Sequence, residues 1–345
     1  MFLNMNLILL LMDVDTRLPF EKIKREVVIR KDAETSDKYG KRPEERTTEE
    51  IIHYGIVNID KPAGPTSHQT TAYARDILNL RKAGHSGTLD PQVTGVLPIG
   101  LERATKVMHL LLTAGKEYIA LMHIHDDLDE DLIREGLASF VGEITQLPPV
   151  KSAVKRVYRK RKVYYIEIIE IDGRDVLFKV GVQAGTYIRK LIHDFGVKMR
   201  VGAHMAKLRR TKAGPFNEKT IFTLNDLRDA YYYYKEEGND SFLRRIIQPV
   251  ERAVEHLPKV WILDSAVDSI CHGANLKVPG IAKLNKDIKE GDTTAIMTLK
   301  NELVAYGHAN MNSETMLKDK GLAVVTHKVF MQPGTYPKNM RKNKR

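Results

Sequence analysis

Ile56 to Asp60 is a short apolar run that stops at Lys61-Pro62-Ala63-Gly64-Pro65, the pattern of a strand entering a rigid turn. Thr66 or Ser67 can then cap a helix running toward Leu80. Glu117 to His125 reads as a strand. Asp129 to Phe140 reads as an amphipathic helix with Leu132, Ile133, Leu137 and Phe140 inward, closed by Pro148-Pro149. Val163–Ile171 and Val176–Val182 flank Asp172-Gly173 as the arms of a hairpin. Gly185-Thr186 then leads into Tyr187–Met199, where Ile188, Leu191, Ile192 and Phe195 recur at helical spacing. After the charged, tyrosine-rich stretch Tyr231–Asp240 a boundary is expected near Val254–Val260. Beyond it lie a helix from Asp264 to Gly273, strands at Ala295–Leu299 and Leu303–His308 around a Lys300-Asn301 turn, and a strand at Leu322–Phe330. Hairpins mixed with helices argue for an α+β fold over a regularly alternating parallel sheet.

The 345 residues exceed the usual size of one core, so two domains are expected. Asp32–Glu50 is charged and nearly free of apolar residues, which reads as an exposed or partner-ordered arm. The division this predicts is 1–50 as an N-terminal extension, 51–254 as the main domain, 255–337 as a small β module and 338–345 as a basic tail. Met1–Met12 is apolar but lacks a basic leader and a cleavage site and is too short to span a bilayer; a translation start at Met12 is the alternative reading.

Composition narrows the partners. A net charge of +11 favours an anion such as RNA, DNA or an acidic membrane. The single cysteine, Cys271, excludes an internal disulfide and fits a reducing cytoplasm. The twelve histidines show no HxxxH or similar ligand pair, so a catalytic metal is not expected.

Within Gly84–Gly100, Asp90 sits among Gly84, Gly87, Gly95 and Pro91, residues that turn and stiffen a loop. Such a loop holds one carboxylate in one place, as a reactive group requires, although turn residues also mark purely structural connections. Lys151, Lys155, Arg156, Arg159, Lys160, Arg161 and Lys162 crowd one stretch with Tyr158, and Tyr164 and Tyr165 follow. Lysine and arginine neutralise phosphates while aromatics stack on bases, so RNA or DNA is the natural partner; a solvated hairpin edge is the bland reading. Arg189, early in its helix, could reach a carboxylate from another loop and hold it ionised.

Four segments together resemble the TruB and dyskerin family of pseudouridine synthases: Lys61-Pro62-Ala63-Gly64-Pro65-Thr66-Ser67; Gly84 to Pro91 with Thr94-Gly95-Val96-Leu97-Pro98; Gly185-Thr186-Tyr187-Ile188-Arg189; and Leu208-Arg209-Arg210-Thr211. They occur in family order. The C-terminal part resembles a PUA domain, a small RNA-binding barrel. The charged arm, the Ile52-His53-Tyr54-Gly55 lead-in and the full PUA module are most similar to the archaeal H/ACA guide-RNA enzymes.

The resemblance implies a mixed, mainly antiparallel catalytic sheet, with 51–254 as the catalytic domain, plus a C-terminal PUA β-barrel on which the 1–50 extension packs. It implies isomerisation of uridine to pseudouridine in rRNA, guided by H/ACA RNA, with the tRNA T-loop as a further substrate and no cofactor. Asp90 would be the catalytic aspartate, Arg189 its partner, Tyr118 and Leu208 the residues against the base, Tyr187 part of the same pocket and His85 the histidine that stacks as the nucleotide enters. Lys151–Lys162 would lie in a mobile loop that grips RNA. Implied partners are guide RNA, substrate rRNA or tRNA, a small zinc-ribbon-like subunit, a kink-turn-binding ribosomal-protein homologue and a glycine/arginine-rich-type subunit, with no membrane. A guide-free tRNA enzyme and a non-catalytic RNA-binding assembly factor remain the alternatives.

Overall fold

The structure is a computed structural model and describes residues 14–148, 155–318 and 320–338. The apolar Ile56 run becomes β2 of a ten-stranded sheet that holds the first two thirds of the chain. In chain order the strands are β1 (Val27–Ile29), β2 (Gly55–Lys61), β3 (Ala83–His85), β4 (Thr94–Leu101), β5 (Lys116–Ile124), β6 (Gly142–Gln146), β7 (Arg159–Asp172), β8 (Asp175–Val182), β9 (Ala203–Ala213), β10 (Phe216–Asn217) and β11 (Ile247–Pro249). Apart from β1 they form one sheet ordered β11-β2-β4-β9-β5-β8-β7-β6, with β3 on β4 and β10 on β9. Among the described strands of this sheet the short β4–β9 pairing, Thr94 opposite Arg209 and Gly95 opposite Arg210, is parallel and the other strand pairs are antiparallel; an isolated bridge from Ile59 to Phe222 is parallel too.

The C-terminal part adds β12 (Lys259–Ile262), β13 (Leu276–Lys277), β14 (Ile281–Asn285), β15 (Thr293–Thr298), β16 (Leu303–Ala309) and β17 (Leu322–Val329). With β1 these make a second sheet, β1-β14-β12-β15-β16-β17-β13. The fold is α+β, with two mixed, mainly antiparallel sheets.

Apolar burial explains why the sheets stay together. Ile56, Val96, Met108 and Phe216 share a continuous core with Trp261, Met297, Tyr306 and Phe330. Burial of such side chains contributes about 1.5–3 kcal/mol each, so the two sheets do not separate cheaply. The charged Asp32–Glu50 arm is ordered by contacts with the C-terminal part and the connection leading into it. Thr35 and Ser36 bond Asp264, Lys41 N donates to Glu302, and buried Arg46 makes a two-pronged pair with Glu251 at 2.7 and 2.8 Å. Glu251 also accepts from Leu303 N, so one carboxylate ties the arm to both sheets.

Two sequence expectations change. The helix expected from Asp129 covers Glu130–Ala138 and buries Ile133 and Leu137, but Leu132 is 41% exposed. At 100° per residue it lies off the inner stripe. Pro148-Pro149 does not close that helix, because β6 intervenes; its burial alternates and carries too little apolar content to stand out. The charged, tyrosine-rich stretch Tyr231–Asp240, to which the sequence pattern assigns no element, lies mostly in the helix Leu224–Glu237, held through Leu227 and Ala230. Met1–Met12 and most of the basic tail lie outside the described residues.

Candidate active site

Asp90 stands in the connection between β3 and β4, and buried polar groups clamp its loop from three sides. Thr66 caps the helix Ser67–Ile77 through a reciprocal capping box with Gln69. At the first turn of that helix, buried Ser67 accepts from Leu89 N at 2.9 Å and donates to Leu89 O at 3.1 Å, fixing the residue before Asp90. Lys61, fully buried at the end of β2, donates to the carbonyls of Pro62, Pro91 and Val93 at 2.8–2.9 Å. Burial pulls its ammonium below the ordinary lysine range, and the Asp90 charge pulls it back up. Arg210 on β9, 1% exposed, donates to Val96 O at 2.7 Å and Gly87 O at 3.0 Å and so joins the two ends of the loop.

Close packing explains the glycine at 95. Its φ is +102°, and a Cβ there would sit 2.2 Å from the Arg210 carbonyl oxygen. A side chain at 95 would therefore push β4 off β9, where the parallel register places Gly95 opposite Arg210.

The carboxylate these clamps present is open to solvent. Arg189, near the start of the helix Ile188–Met199, donates through Nη2 to Asp90 Oδ2 at 2.6 Å, with both side chains about three-fifths exposed. The helix is aimed by Gln146 of β6, which accepts from Tyr187 N at 3.0 Å and donates to Tyr187 O at 3.1 Å. Tyr118 faces Arg210 across β5–β9, and Leu208 faces Ala120 two positions along, which places Tyr118, Leu208 and Arg210 on one face. Both half-buried side chains pack on the apolar cluster beneath the sheet.

His85 meets His68 edge-on at 4.8 Å, and its buried Nδ1 lacks a hydrogen-bond partner. Burial, with His68 and then Arg210 adding positive charge, pushes its pKa down to about 4. Burial likewise brings His256 to about 4 and Lys116, with Arg210 adding to the effect, to about 7; the Lys116 ammonium is held by the Leu111, Leu112 and Ala114 carbonyls.

The depression of His85 and His256 implies acid sensitivity. Unfolded, each regains an ordinary pKa of about 6.5, so between that value and 4 the unfolded chain binds more protons than the folded one. Stability therefore falls as pH drops through this window, by at most about 1.4 kcal/mol per pH unit for each histidine. Urea unfolding midpoints should be clearly lower at pH 5 than at pH 7, and His85→Asn should remove part of the difference; equal midpoints for the wild type would contradict these environments.

The basic stretch is only partly a loop. Lys155 and Arg156 are exposed in irregular chain, whereas Arg159 and Lys160 already belong to β7, opposite Gln146 and Thr145 of β6. They pair because Val163 and Tyr165 farther along bury one side of the strand and fix its register. Lys160 meets Glu143 at 2.8 Å. The strand borders the site: Lys162 and Gln183 exchange bonds, just before Gly185 and the Arg189 helix. Lys151 lies outside the described residues.

Sequence reasoning named Lys61 and Arg210 only as members of motifs and missed Ser67 and Gln146 as anchors. Two cavities, of about 520 and 510 Å³, lie elsewhere: one among the arm, Tyr54 and the C-terminal sheet, the other behind Lys61 toward Thr223. Neither is lined by Asp90, whose open setting suits a large substrate better than an enclosed small molecule.

The sequence profile of the TruB family pseudouridylate synthase N-terminal domain matches residues 75–188, and that of the tRNA pseudouridylate synthase B C-terminal domain matches 189–255. A protein of Pyrococcus abyssi named "Probable tRNA pseudouridine synthase B" is 61% identical over 92% of this chain and 96% of its own length. The chain belongs to the TruB family of pseudouridine synthases. Its flanks match a PUA domain at 258–330 and a DKCLD domain at 15–71. The Methanopyrus kandleri relative of the same name is 55% identical over 94% of the chain and 96% of its own length. Among solved TruB-family structures, a chain of a "Cbf5-Nop10-Gar1 Complex" superposes with a TM-score of 0.90 at 59% identity, covering 93% of this chain and 98% of that one. Another, from an "H/ACA RNP bound to a substrate RNA containing 2'-deoxyuridine", gives 0.88 at 57%, covering 94% and 100%. The α+β fold is thus that of a TruB-family catalytic domain joined to a C-terminal PUA domain.

Proposed function

We propose that the chain is the catalytic subunit of an H/ACA ribonucleoprotein that converts uridine to pseudouridine in rRNA, with the tRNA T-loop as a further substrate. The carrying observation is the Asp90–Arg189 pair at 2.6 Å on an exposed, clamped loop, in a chain 59% identical along nearly its full length to one solved in a Cbf5-Nop10-Gar1 complex. In this reading Asp90 acts on the nucleoside as the N1–C1′ bond breaks. The retained uracil turns, C5 bonds C1′, and the C5 proton is lost while N1 gains one. One carboxylate suffices, unlike the two of ordinary glycoside hydrolysis. Arg189 holds Asp90 aimed at the nucleoside; Tyr118, Leu208 and Tyr187 hold a base flipped out of its stack, with His85 beside its entry.

Lys151, Lys155, Arg156, Arg159 and Lys160 grip the RNA backbone. The division of labour is 1–50 as an extension on the PUA domain, 51–254 as the catalytic domain, 255–337 as the PUA domain holding guide RNA, and 338–345 as a basic tail. The partners are guide RNA, a small zinc-ribbon-like subunit, a glycine/arginine-rich-type subunit and a kink-turn-binding protein, with the complex in the cytoplasm. Relatives solved with Nop10, with Gar1 and with substrate RNA support this assembly. Among the described residues no helix is long and apolar enough to cross a membrane.

Reconstitution decides between guided and unguided action. Pseudouridine in an rRNA fragment is expected only when a matching guide is added. Full activity on tRNA alone, with no gain on rRNA from the guide, would make this a guide-free tRNA enzyme instead.

A further inference from the structure

At the end of β5 away from Lys116, three histidines and a carboxylate gather on the sheet surface. His123 and His125 are two residues apart on or just past one strand, and His204 of β9 lies directly opposite His123. Asp175 of β8 lies opposite His123 on its other side. The ring centres of His125 and His204 are 5.2 Å apart, those of His123 and His204 5.4 Å, and those of His123 and His125 6.5 Å. Three imidazoles bound tetrahedrally to one metal at 2.0–2.1 Å hold their ring centres about 5 Å apart. Two of the three separations therefore already fit, and the third is about an ångström and a half too long.

The nitrogens are arranged to match. His125 Nε2 and His204 Nδ1 are 2.9 Å apart, a few tenths of an ångström inside the spacing of two tetrahedral ligands on one ion, about 3.3 Å. His123 meets Asp175 Oδ1 through Nδ1 at 2.8 Å, which leaves Nε2 to face a metal. A carboxylate that takes the other ring N–H of a ligating histidine fixes its tautomer and raises its basicity. Gly202, at φ +67°, makes room for this: a Cβ there would lie 2.7 Å from His125 Nδ1. Among the described residues no three His, Cys, Asp or Glu groups already converge on one point. Convergence needs only side-chain rotation of rings that are partly or well exposed, a fast motion that leaves the strands in place.

We propose that His123, His125 and His204 form a binding site for a zinc-class divalent metal ion, with Asp175 as the carboxylate behind His123. The metal replaces the His125–His204 hydrogen bond and cross-links β5 to β9, with water in the fourth position. Its role is to staple the sheet, because His123 is about 16 Å along β5 from Tyr118 at 3.3 Å per residue.

The untagged full chain, stripped with chelator, is titrated with Zn2+ by calorimetry and with Co2+ by visible absorption. One ion per chain and the intense bands of four-coordinate cobalt are expected. His204→Asn should abolish both, and Asp175→Asn should weaken binding about 10- to 100-fold. His327→Asn, in the separate ring contact with His308, should leave them unchanged. Thermal melts confirm that each variant is folded. Absence of tetrahedral bands at millimolar Co2+, or equal binding by wild type and His204→Asn, would overturn the site.

Discussion

Asp90→Asn is expected to lower pseudouridine formation by at least about 10⁴-fold while leaving RNA affinity within about a factor of two. The carboxamide is nearly isosteric and can still accept from Arg189, so loop and RNA surface survive. It has no negative charge to offer the nucleoside and is a poor nucleophile. Because Asp90 is about three-fifths exposed, the substitution disturbs no core. Guided turnover and filter binding on the same preparation separate chemistry from affinity. A variant that turns over like wild type would end the assignment of Asp90.

Gly95→Ala should be the most damaging small change outside the reacting groups, costing at least about 3 kcal/mol of stability. Two separate penalties combine there: a positive φ of +102° and a Cβ set 2.2 Å from a backbone oxygen that cannot swing away. If Gly95 recoils from Arg210, the bonds from Arg210 to Val96 O and Gly87 O are strained as well, so activity should fall with stability. Thermal unfolding and single-turnover rates measure the two effects. An alanine variant with the wild-type melting temperature would show that the β4–β9 contact is looser than the geometry states.

How far the sequence reached can be seen in these same residues. The strands at Ile56 and Glu117 and the Asp172-Gly173 hairpin were legible because one period and one turn signal agree. β6 was not, since a short strand without an apolar run announces itself only through its partner β7. Asp90 stood out locally through its glycines and proline. Its partner did not: Arg189 lies 99 residues away, and only family resemblance nominated it. Lys61 and Arg210 were the least readable. Lysine and arginine usually face water, and their burial here depends on carbonyls delivered by a loop that folds around them. His123 and His125 escaped notice because helical ligand spacing was sought, whereas alternate residues share a face on a strand.

If the Asp90 carboxylate is made competent by a fixed guanidinium partner, single-turnover pseudouridine formation by Arg189→Lys at saturating RNA shows it most directly. Lysine keeps the charge but loses the planar fork and the reach that place Nη2 2.6 Å from Asp90. The predicted result is a rate about 100-fold lower with RNA affinity unchanged, the scale of loss that follows from misplacing a reacting group by about an ångström. A rate within two- or threefold of wild type would contradict it.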